Sequence, residues 1–334
     1  MKAIRLKTEH LFEPVGVDFS APRLFWNCEG GKKQTAYQIV AADDAGNTLW
    51  DSGRVESGSM CAVWAGKPVP PETKVLWRVR LWDENGAAGD WSEASFETGL
   101  GRWQAQWITG NYRVNKRRRY PVDCFRKSFC ASDVRKARLY ITACGLYEAK
   151  LNGRRAGEFV LAPGITDYRK RVQYQTYDVT ELLQNGENEL TVQLADGWYR
   201  GSCGAWGLRN QYGSETKLLL QLKITCADGS VQTVCTDGSW DWSNDGPIRF
   251  ADNKDGEIVD ARMEPTYAGR AKVTVHSAAP SASDNVPVTE HERLSARLLR
   301  TPSGKTVLDF GQNIAGYAAF SLTARAGQTV KLRF

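Results

Sequence analysis

The sequence predicts an all-β protein. Helical periodicity is nearly absent from the 334 residues, and the one start of a helix is at Thr180, which could cap a single turn before Asn185 and Gly186. Elsewhere polar and apolar residues alternate with period two between turns of Gly, Asn and Asp, as antiparallel sheets require. Twelve Trp and twelve Tyr against three His also favour aromatic β cores over histidine-based chemistry.

Residues 1–99 are predicted to form a β-sandwich of the fibronectin type III or immunoglobulin-like kind, because the short strands and the central Trp suit that fold. In the strand expected at 75–82, Trp77, Val79 and Leu81 alternate with arginines, so one face should be buried and the other solvated. No cysteine pair suggests an inter-sheet disulfide, which favours the fibronectin-like version.

Residues 100–265 are predicted to form a jelly-roll sandwich with a hairpin at Asn152-Gly153. A patch rich in Ser, Ala, Pro and Asn makes residues 266–290 the expected linker. Residues 291–334, with the run VLDFGQNIAGYAAFSL, are expected to be the start of a further, incomplete β domain. The strands expected in the second domain are 136–143, 146–160, 172–179, 189–196, 217–225 and 230–237.

The net charge of +6 is mild, and the densest basic run is 116–119. We interpret this run as a solvated loop rather than a phosphate contact, because no basic stripe or nucleic-acid motif accompanies it. No nucleic-acid partner is therefore predicted.

The eight cysteines lack zinc-site spacing, and several lie in alternating strands, where they behave as small apolar residues. The N-terminal stretch MKAIRLKTEHLFEPVG has no apolar core of the kind found in signal peptides, and no segment approaches membrane-spanning length. A reducing cytoplasm is the expected location, and no membrane partner is expected.

No catalytic residue and no cofactor are predicted. The chain has no P-loop, no G-x-S-x-G and no H-E-x-x-H motif. His10, His276 and His291 are scattered, so we interpret them as surface or packing residues. Carboxylate pairs for sugar hydrolysis cannot be recognised from spacing in an all-β chain.

The stretch ADGWYRGSCGAWG combines Asp196, Trp198, Tyr199 and Trp206 with four glycines. Glycines let a backbone approach a ligand, Trp offers a stacking face, and Asp accepts hydrogen bonds from paired hydroxyls. These four residues are therefore the candidates for sugar binding. The alternative is a loop whose aromatic residues plug one end of the sandwich.

The stretch FADNKDGEIVDAR contains Asp252, Asn253, Asp255 and Glu257, and such a density of oxygen atoms can hold Ca²⁺. Lys254 interrupts the spacing of an EF-hand loop, however. An ordinary polar turn is the preferred interpretation, so these four residues are weak candidates and no metal site is predicted.

Several phrases resemble, in combination, a known family. LKTEHLFEPVGVDFSAPRLFW and WRVRLWDENG are similar to the N-terminal sandwich of the bacterial α-L-rhamnosidases, inverting glycoside hydrolases that remove terminal L-rhamnose. LAPGITDYRKRVQYQTYDVTELLQNGEN, ADGWYRG and DGEIVDARME resemble their carbohydrate-module-like jelly roll, and VLDFGQNIAGY resembles the start of their next β domain. YDVTELLQNGEN alone is weak evidence, since β-galactosidase-type enzymes share it, but the ordered combination spans nearly the whole chain.

In that family the catalytic acid and base belong to an α/α barrel that follows the β domains, and nothing in this sequence resembles the barrel. The resemblance implies a non-catalytic, inactive N-terminal portion of a rhamnosidase. Its partners would be a glycoside containing L-rhamnose and the catalytic domain. Two alternatives stay open: a stand-alone carbohydrate-binding protein, and a β scaffold of another glycosidase such as a β-galactosidase-like enzyme.

The resemblance also bears on calcium. Some members of the module group bind rhamnose through Ca²⁺, using an Asp-Asn pair just before the hairpin strand that ends in Asn-Gly. In this sequence that place holds Cys144-Gly145, which cannot supply hard oxygen ligands. We therefore expect no calcium-dependent lectin site there.

Overall fold

A computed structural model describes residues 1–323, 325 and 327–332. The described residues fall into two compact units, one that spans Met1–Thr289 and one that begins at Glu290. The structure is almost entirely β, which confirms the predicted fold class. Residues 324, 326, 333 and 334 of the predicted incomplete domain lie outside the described residues.

The first unit begins with a sandwich of two sheets. Its strands are β1 (Lys2–Thr8), β2 (Val15–Val17), β3 (Arg23–Glu29), β4 (Ala36–Asp43), β5 (Thr48–Asp51), β6 (Val55–Glu56), β7 (Cys61–Val63), β8 (Lys74–Trp82) and β9 (Ser92–Thr98). One sheet has the order β1-β3-β7, and the other has the order β2-β9-β8-β4-β5 with β6 beside β4. Trp77, Val79 and Leu81 are buried while Arg78 between them is exposed, as the alternation predicts.

A second sandwich follows in the same unit. Its strands are β10 (Ile108–Thr109), β11 (Asp123–Ala131), β12 (Val134–Cys144), β13 (Leu146–Leu151), β14 (Arg154–Arg155), β15 (Val172–Asp178), β16 (Gly186–Ala195), β17 (Lys217–Cys226), β18 (Val231–Cys235), β19 (Asp241–Ser243), β20 (Ile248–Asp252), β21 (Gly256–Val259), β22 (Gly269–Arg270), β23 (Lys272–Val273) and β24 (Pro280–Ala282). One sheet has the order β23-β10-β17-β12-β15-β24 with β18 beside β17, and the other has the order β14-β13-β16-β11-β19-β22. The hairpin β20–β21 is separate.

The core of the second sandwich lies between its two sheets. Every second residue of β16 and of β17 points into this core, while Leu219 on the opposite face of β17 is buried in a separate cluster. The indole of Trp240 is fully buried and donates a hydrogen bond to the Cys235 carbonyl (2.7 Å). The inward residues of these two strands are Leu190, Val192, Leu194, Leu218, Leu220, Leu222 and Ile224.

The stretch 266–290, expected to be a linker, contains strands that belong to these sheets. β22 pairs with β19, β23 pairs with β10, and β24 pairs in parallel with β15. Strands of two or three residues are too short to show a period in the sequence. The compact unit accordingly extends to Thr289.

The two sandwiches are joined by buried polar contacts. The Glu97 carboxylate on β9 is 2% exposed and accepts hydrogen bonds from the Arg138 guanidinium on β12 (2.9–3.2 Å). Lys136 Nζ lies 3.1 Å from the same carboxylate, and Asp178 lies 2.8 Å from the other side of Arg138. Removing one partner of such a buried ion pair is costly, because the other charge is left uncompensated away from water.

Helical structure is limited to two short pieces in the described part of the chain. A 3-10 turn spans Thr180–Leu182, but Thr180 does not cap it, because its hydroxyl accepts the Ala137 N–H (2.9 Å) and Asp178 accepts the Thr180 N–H (3.1 Å). The second piece, α1 (Gly197–Arg200), lies in the glycine-rich stretch and is too short to show helical periodicity. No helix in the described residues is long and apolar enough to cross a membrane.

The second unit contains an antiparallel hairpin of β25 (Arg297–Arg300) and β26 (Thr306–Asp309). Consecutive residues of a strand face opposite ways, and Leu298 and Leu299 are 61% and 37% exposed. Both faces of the hairpin therefore present apolar side chains. An isolated two-stranded hairpin of this kind is marginally stable in water.

Candidate functional site

The glycine-rich stretch surrounds a buried charged cluster at one end of the second sandwich. Asp196 follows the last residue of β16 and Asp123 opens β11, so the antiparallel pairing of these two strands brings the two carboxylates to the same end of one sheet. Thr216 precedes β17 of the facing sheet and reaches Asp123 through its side chain. Asp196 is 2% exposed and accepts hydrogen bonds from Arg200 Nε (2.7 Å) and Arg209 Nη2 (2.5 Å). Asp196 thus holds two guanidinium groups in place.

Arg200 connects Asp196 to a second buried carboxylate. Its Nη1 donates to the Tyr112 hydroxyl (2.5 Å), and that hydroxyl donates to Asp123 Oδ2 (3.3 Å). Asp123 is fully buried and also accepts from Thr216 Oγ1 (2.8 Å) and Trp242 Nε1 (3.0 Å). The result is a continuous hydrogen-bonded chain from the loop after β16 to the start of β11.

Burial decides the electrostatics of this chain. It raises the pKa of Asp123, although Arg200 and the donors of Trp242 and Thr216 oppose the rise. Burial, with the nearby charge of Asp123, also raises the pKa of Tyr112, which therefore stays protonated at neutral pH. Burial alone would lower the pKa of Arg200, but Asp196 and its other neighbours raise it, so the guanidinium stays cationic.

The four candidates for sugar binding do not share one surface. Asp196 is occupied by its two arginines, and Tyr199 is 4% exposed with its ring 5.2 Å from that of Tyr168. Trp198 is half-buried in the same aromatic cluster. Trp206 is 88% exposed on the loop that follows α1.

Sequence reasoning missed most of the buried cluster. Arg200 lies within the glycine-rich stretch, but no sequence feature marks it as a site residue. Tyr112 and Asp123 lie in segments without a recognisable motif. Their connection depends on which strand ends meet in the fold. A buried guanidinium between two carboxylates carries no spacing signal of its own.

An open cleft of about 690 Å³ lies beside the cluster. Tyr112 and Tyr199 contribute aromatic rings to its wall. Gly213 is packed so closely that a Cβ there would come within 2.3 Å of the Tyr199 hydroxyl oxygen. Further polar and charged lining comes from Asn111, Arg113, Ser214, Glu215, Lys217 and Lys272.

The oxygen-rich stretch considered for Ca²⁺ is used within the protein. Asp252 accepts the backbone N–H of Ser202 (2.7 Å) and the N–H groups of its own turn. Asp255 accepts from Ser202 Oγ (2.8 Å) and Arg119 (2.6 Å), while Asn253 and Glu257 are exposed. Among the described residues no three His, Cys, Asp or Glu side chains are grouped to hold a metal ion.

Cys144 and Gly145 occupy the place of the Asp-Asn pair considered for Ca²⁺, and these two residues do not suit the ion. Cys144 is fully buried, and burial raises the pKa of its thiol to about 12. Gly145 has a φ of +146°, and a Cβ there would lie 2.4 Å from the Ala195 carbonyl oxygen. An oxygen-bearing side chain at 145 would therefore clash with β16, and no calcium chemistry is assigned to this position.

His276 is half-buried at the same end of the sandwich. Its ring packs against Trp107 (5.3 Å) and Tyr199 (6.2 Å), and Nε2 donates to the Tyr168 carbonyl (2.8 Å). Burial lowers the pKa of His276, helped by the charge of Lys217. His276 is thus a packing residue, whereas His10 and His291 are exposed.

This packing predicts a pH-dependent stability. Below the unfolded pKa of about 6.5 the unfolded chain binds a proton that His276 in the folded state does not, so the free energy of unfolding should fall as the pH drops from about 7.5 to 5.5. Denaturant unfolding at these pH values should show a smaller fall for His276→Phe than for the exposed control His291→Phe. Equal falls in both variants would contradict the assignment.

Three family models match the chain in order. The Rha78A-like N-terminal immunoglobulin domain matches residues 3–102, the alpha-L-rhamnosidase N-terminal domain matches 132–297, and the bacterial alpha-L-rhamnosidase concanavalin-like domain matches 299–334. An alpha-L-rhamnosidase of Formosa agariphila is 33% identical over 98% of this chain, which spans 39% of that relative's length.

Solved structures of rhamnosidases have the same fold. Alpha-L-rhamnosidase from Aspergillus terreus matches with a TM-score of 0.84 and 33% identity, over 94% of this chain and 39% of its own. The enzyme of Streptomyces avermitilis, solved with L-rhamnose, matches with a TM-score of 0.83 and 26% identity, over 94% of this chain and 49% of its own. The chain therefore belongs to the α-L-rhamnosidase family and corresponds to the β domains at the N-terminal end of its members.

Proposed function

We propose that this chain is the non-catalytic N-terminal part of an α-L-rhamnosidase, a glycoside hydrolase that removes terminal L-rhamnose from rhamnosides. The observation that carries this proposal is the match of three successive rhamnosidase domains, in order, along nearly the whole chain. The two sandwiches act as a scaffold for a catalytic domain that contains the acid and base. The buried contacts of Glu97 and Arg138 support this role, because a scaffold must hold its domains in a fixed relation.

We also propose a reducing, cytoplasmic location. All eight cysteines are free in the structure, including the buried Cys124 and Cys144. Secreted β domains commonly contain disulfides, whereas cytoplasmic domains rarely do.

The scaffold proposal predicts that the purified 334-residue chain does not hydrolyse an aryl α-L-rhamnoside. Release of p-nitrophenol should equal the buffer rate, with a complete rhamnosidase as the positive control. Turnover that co-purifies with the folded chain would contradict the assignment. If the encoding gene specifies a longer product, that product should prefer the rhamnoside to the matching β-galactoside, and the opposite preference would favour the β-galactosidase-like alternative.

A second role, direct sugar binding, is favoured by the exposure of Trp206. An indole that is 88% exposed on a glycine-rich loop offers an open face for the C–H groups of a sugar ring. Trp198 and Tyr199 would support this loop from the aromatic cluster beneath it, and Asp196 would do so by holding Arg200 and Arg209.

Sugar binding predicts that L-rhamnose at millimolar concentration changes the tryptophan fluorescence of the chain. Trp206→Ala should abolish the change, because the stacking face is lost. Leu208→Ala on the same loop is the matched control, since Leu208 is also exposed (57%) but has no aromatic face. An unresponsive wild-type chain, or equal responses in both variants, would exclude this role.

A further inference from the structure

The rim of the cleft beside the buried cluster is positively charged. Arg113, Lys217 and Lys272 line it together with one acid, Glu215, which lies 3.9 Å from Lys272 Nζ. Lys217 Nζ donates to the Val275 carbonyl (2.6 Å). Within the described residues, neither Arg113 nor Lys217 has a carboxylate within ion-pairing distance, so two cations of the rim lack a counter-charge.

The groups beneath the cleft do not neutralise this charge. The buried cluster contains two carboxylates, of Asp123 and Asp196, and two guanidiniums, of Arg200 and Arg209. Its acidic and basic groups are therefore equal in number. Tyr112 covers that cluster with a neutral phenol, and Arg200 holds its hydroxyl in place. The positive potential of the rim therefore faces the open cleft.

The lining of the cleft is packed around Tyr112 and includes groups that can bind hydroxyls. The ring of Tyr112 lies 4.7 Å from that of Tyr120 and is stacked on Trp242 at 5.8 Å. Asn111 and Ser214 add amide and hydroxyl groups to the lining. The volume of about 690 Å³ lies within the range of small-molecule sites, about 300–1,000 Å³.

The basic run 116–119 continues from the same loop as Arg113. Lys116, Arg117 and Arg118 are exposed and form no ion pair in the described part of the chain, whereas Arg119 is paired with Asp255 (2.6 Å). Like charges in one loop repel each other unless an anion lies between them. A ligand that carries several negative charges could therefore extend from the cleft along this loop.

The cleft at the junction of the two sandwiches provides a contrast. It has a similar volume of about 610 Å³, but five basic and four acidic side chains line it. Lys136 and Arg138 in its lining are paired with Glu97 and Asp178. Its charges are thus largely balanced, so charged residues on this protein do not by themselves make an anion site.

We propose that the cleft of Tyr112 and Lys217 binds a carboxylated saccharide, with a uronic-acid carboxylate on the rim cations and ring hydroxyls on Asn111 and Ser214. Hydrogen-bonding and aromatic groups in the lining favour a sugar over a bare anion. This inference goes beyond the proposed function, since it requires neither hydrolysis nor rhamnose.

Calorimetric titration of the 334-residue chain with trigalacturonate, and with its fully methyl-esterified form, tests the proposal. Both compounds have the same rings, and the ester has lost only the negative charges. We expect the acid to bind at least about tenfold more tightly at low salt, which corresponds to about 1.4 kcal/mol, and to weaken as salt is added. Equal binding of acid and ester, or no binding of either, would overturn the proposal.

Variants that remove charge test which cleft binds the saccharide. Lys217→Gln combined with Lys272→Gln should weaken the binding of trigalacturonate at least about tenfold. Lys74→Gln combined with Arg135→Gln makes the same charge change at the junction cleft and should leave the affinity unchanged. Equal losses in both double variants would mean that net charge alone is responsible, and the proposed site would be wrong.

Two further probes separate the saccharide from other anions. Inorganic phosphate at equal charge concentration should compete weakly with trigalacturonate, and full competition would indicate a bare anion site and overturn the saccharide assignment. A single-stranded oligonucleotide of equal charge should bind more weakly than the saccharide. Tighter binding of the oligonucleotide would replace the saccharide by nucleic acid as the ligand.

Discussion

Glu97→Ala should lower the free energy of unfolding by about 3–5 kcal/mol. Glu97 is buried at the junction of the two sandwiches, where its carboxylate receives Arg138 in bidentate fashion and also contacts Lys136. Removing the acid leaves Arg138, a residue that is 9% exposed, with Asp178 as its one acidic partner among the described residues. The cost arises from a cation that stays buried without its main counter-charge.

The matched control is Glu56→Ala. Glu56 lies 2.8 Å from Arg54, but both side chains are well exposed, so this pair should contribute less than about 1 kcal/mol. Urea unfolding followed by tryptophan fluorescence measures both variants. Similar losses for Glu97→Ala and Glu56→Ala would show that the junction does not depend on its buried ion pair.

Arg200→Met should have an effect of similar size, a loss of about 3–5 kcal/mol. The substitution keeps an apolar stem but leaves Asp196 with Arg209 as its remaining cationic partner. It also removes the cation that lies near the fully buried Asp123 and the donor to Tyr112. Two buried carboxylates would then face too little positive charge.

Arg262→Met is the control for this second prediction. Arg262 lies 2.7 Å from Asp260, the same distance that joins Arg200 to Asp196, but its side chain is 89% exposed. Its loss of stability should be far smaller than that of Arg200→Met, because water screens an exposed ion pair. In both thermal and urea unfolding, Arg200→Met should be far less stable than Arg262→Met. Equal stability of the two variants would contradict the role assigned to the buried cluster.

Long strands were predictable from the sequence because their alternation extends over several periods. β8 and β17, of nine and ten residues, lie close to the expected strands 75–82 and 217–225. In contrast, β22 and β23 have two residues each and α1 has four, which is less than one reliable period of either pattern. The alternation in the sequence therefore revealed the sandwiches but not the strands that complete their edges.

The candidate site was only partly predictable, for a different reason. The phrase ADGWYRGSCGAWG, with its unusual composition, lies at one end of the second sandwich, beside the buried cluster. Whether Asp196 faces a ligand or a guanidinium depends on Arg200 and Arg209, and the link to Asp123 depends on strands that are distant in sequence. Tertiary packing decides which of these contacts form, and no local sequence pattern predicts it.

The hydrogen bonds of Asp18 join residues that the ribosome makes at very different times. Its carboxylate accepts a hydrogen bond from Tyr174 (2.9 Å) and another from the backbone of Ala282 (2.6 Å), a residue 264 positions later. At roughly 5–20 residues per second, a ribosome needs roughly 13–53 s to add those positions. The first sandwich is complete in sequence at β9, and it presents Glu97, Asp18 and Glu72 without partners until Arg138, Tyr174 and Lys223 have been made. The contacts that complete this junction are therefore made by carboxylates, which water can solvate until their partners arrive.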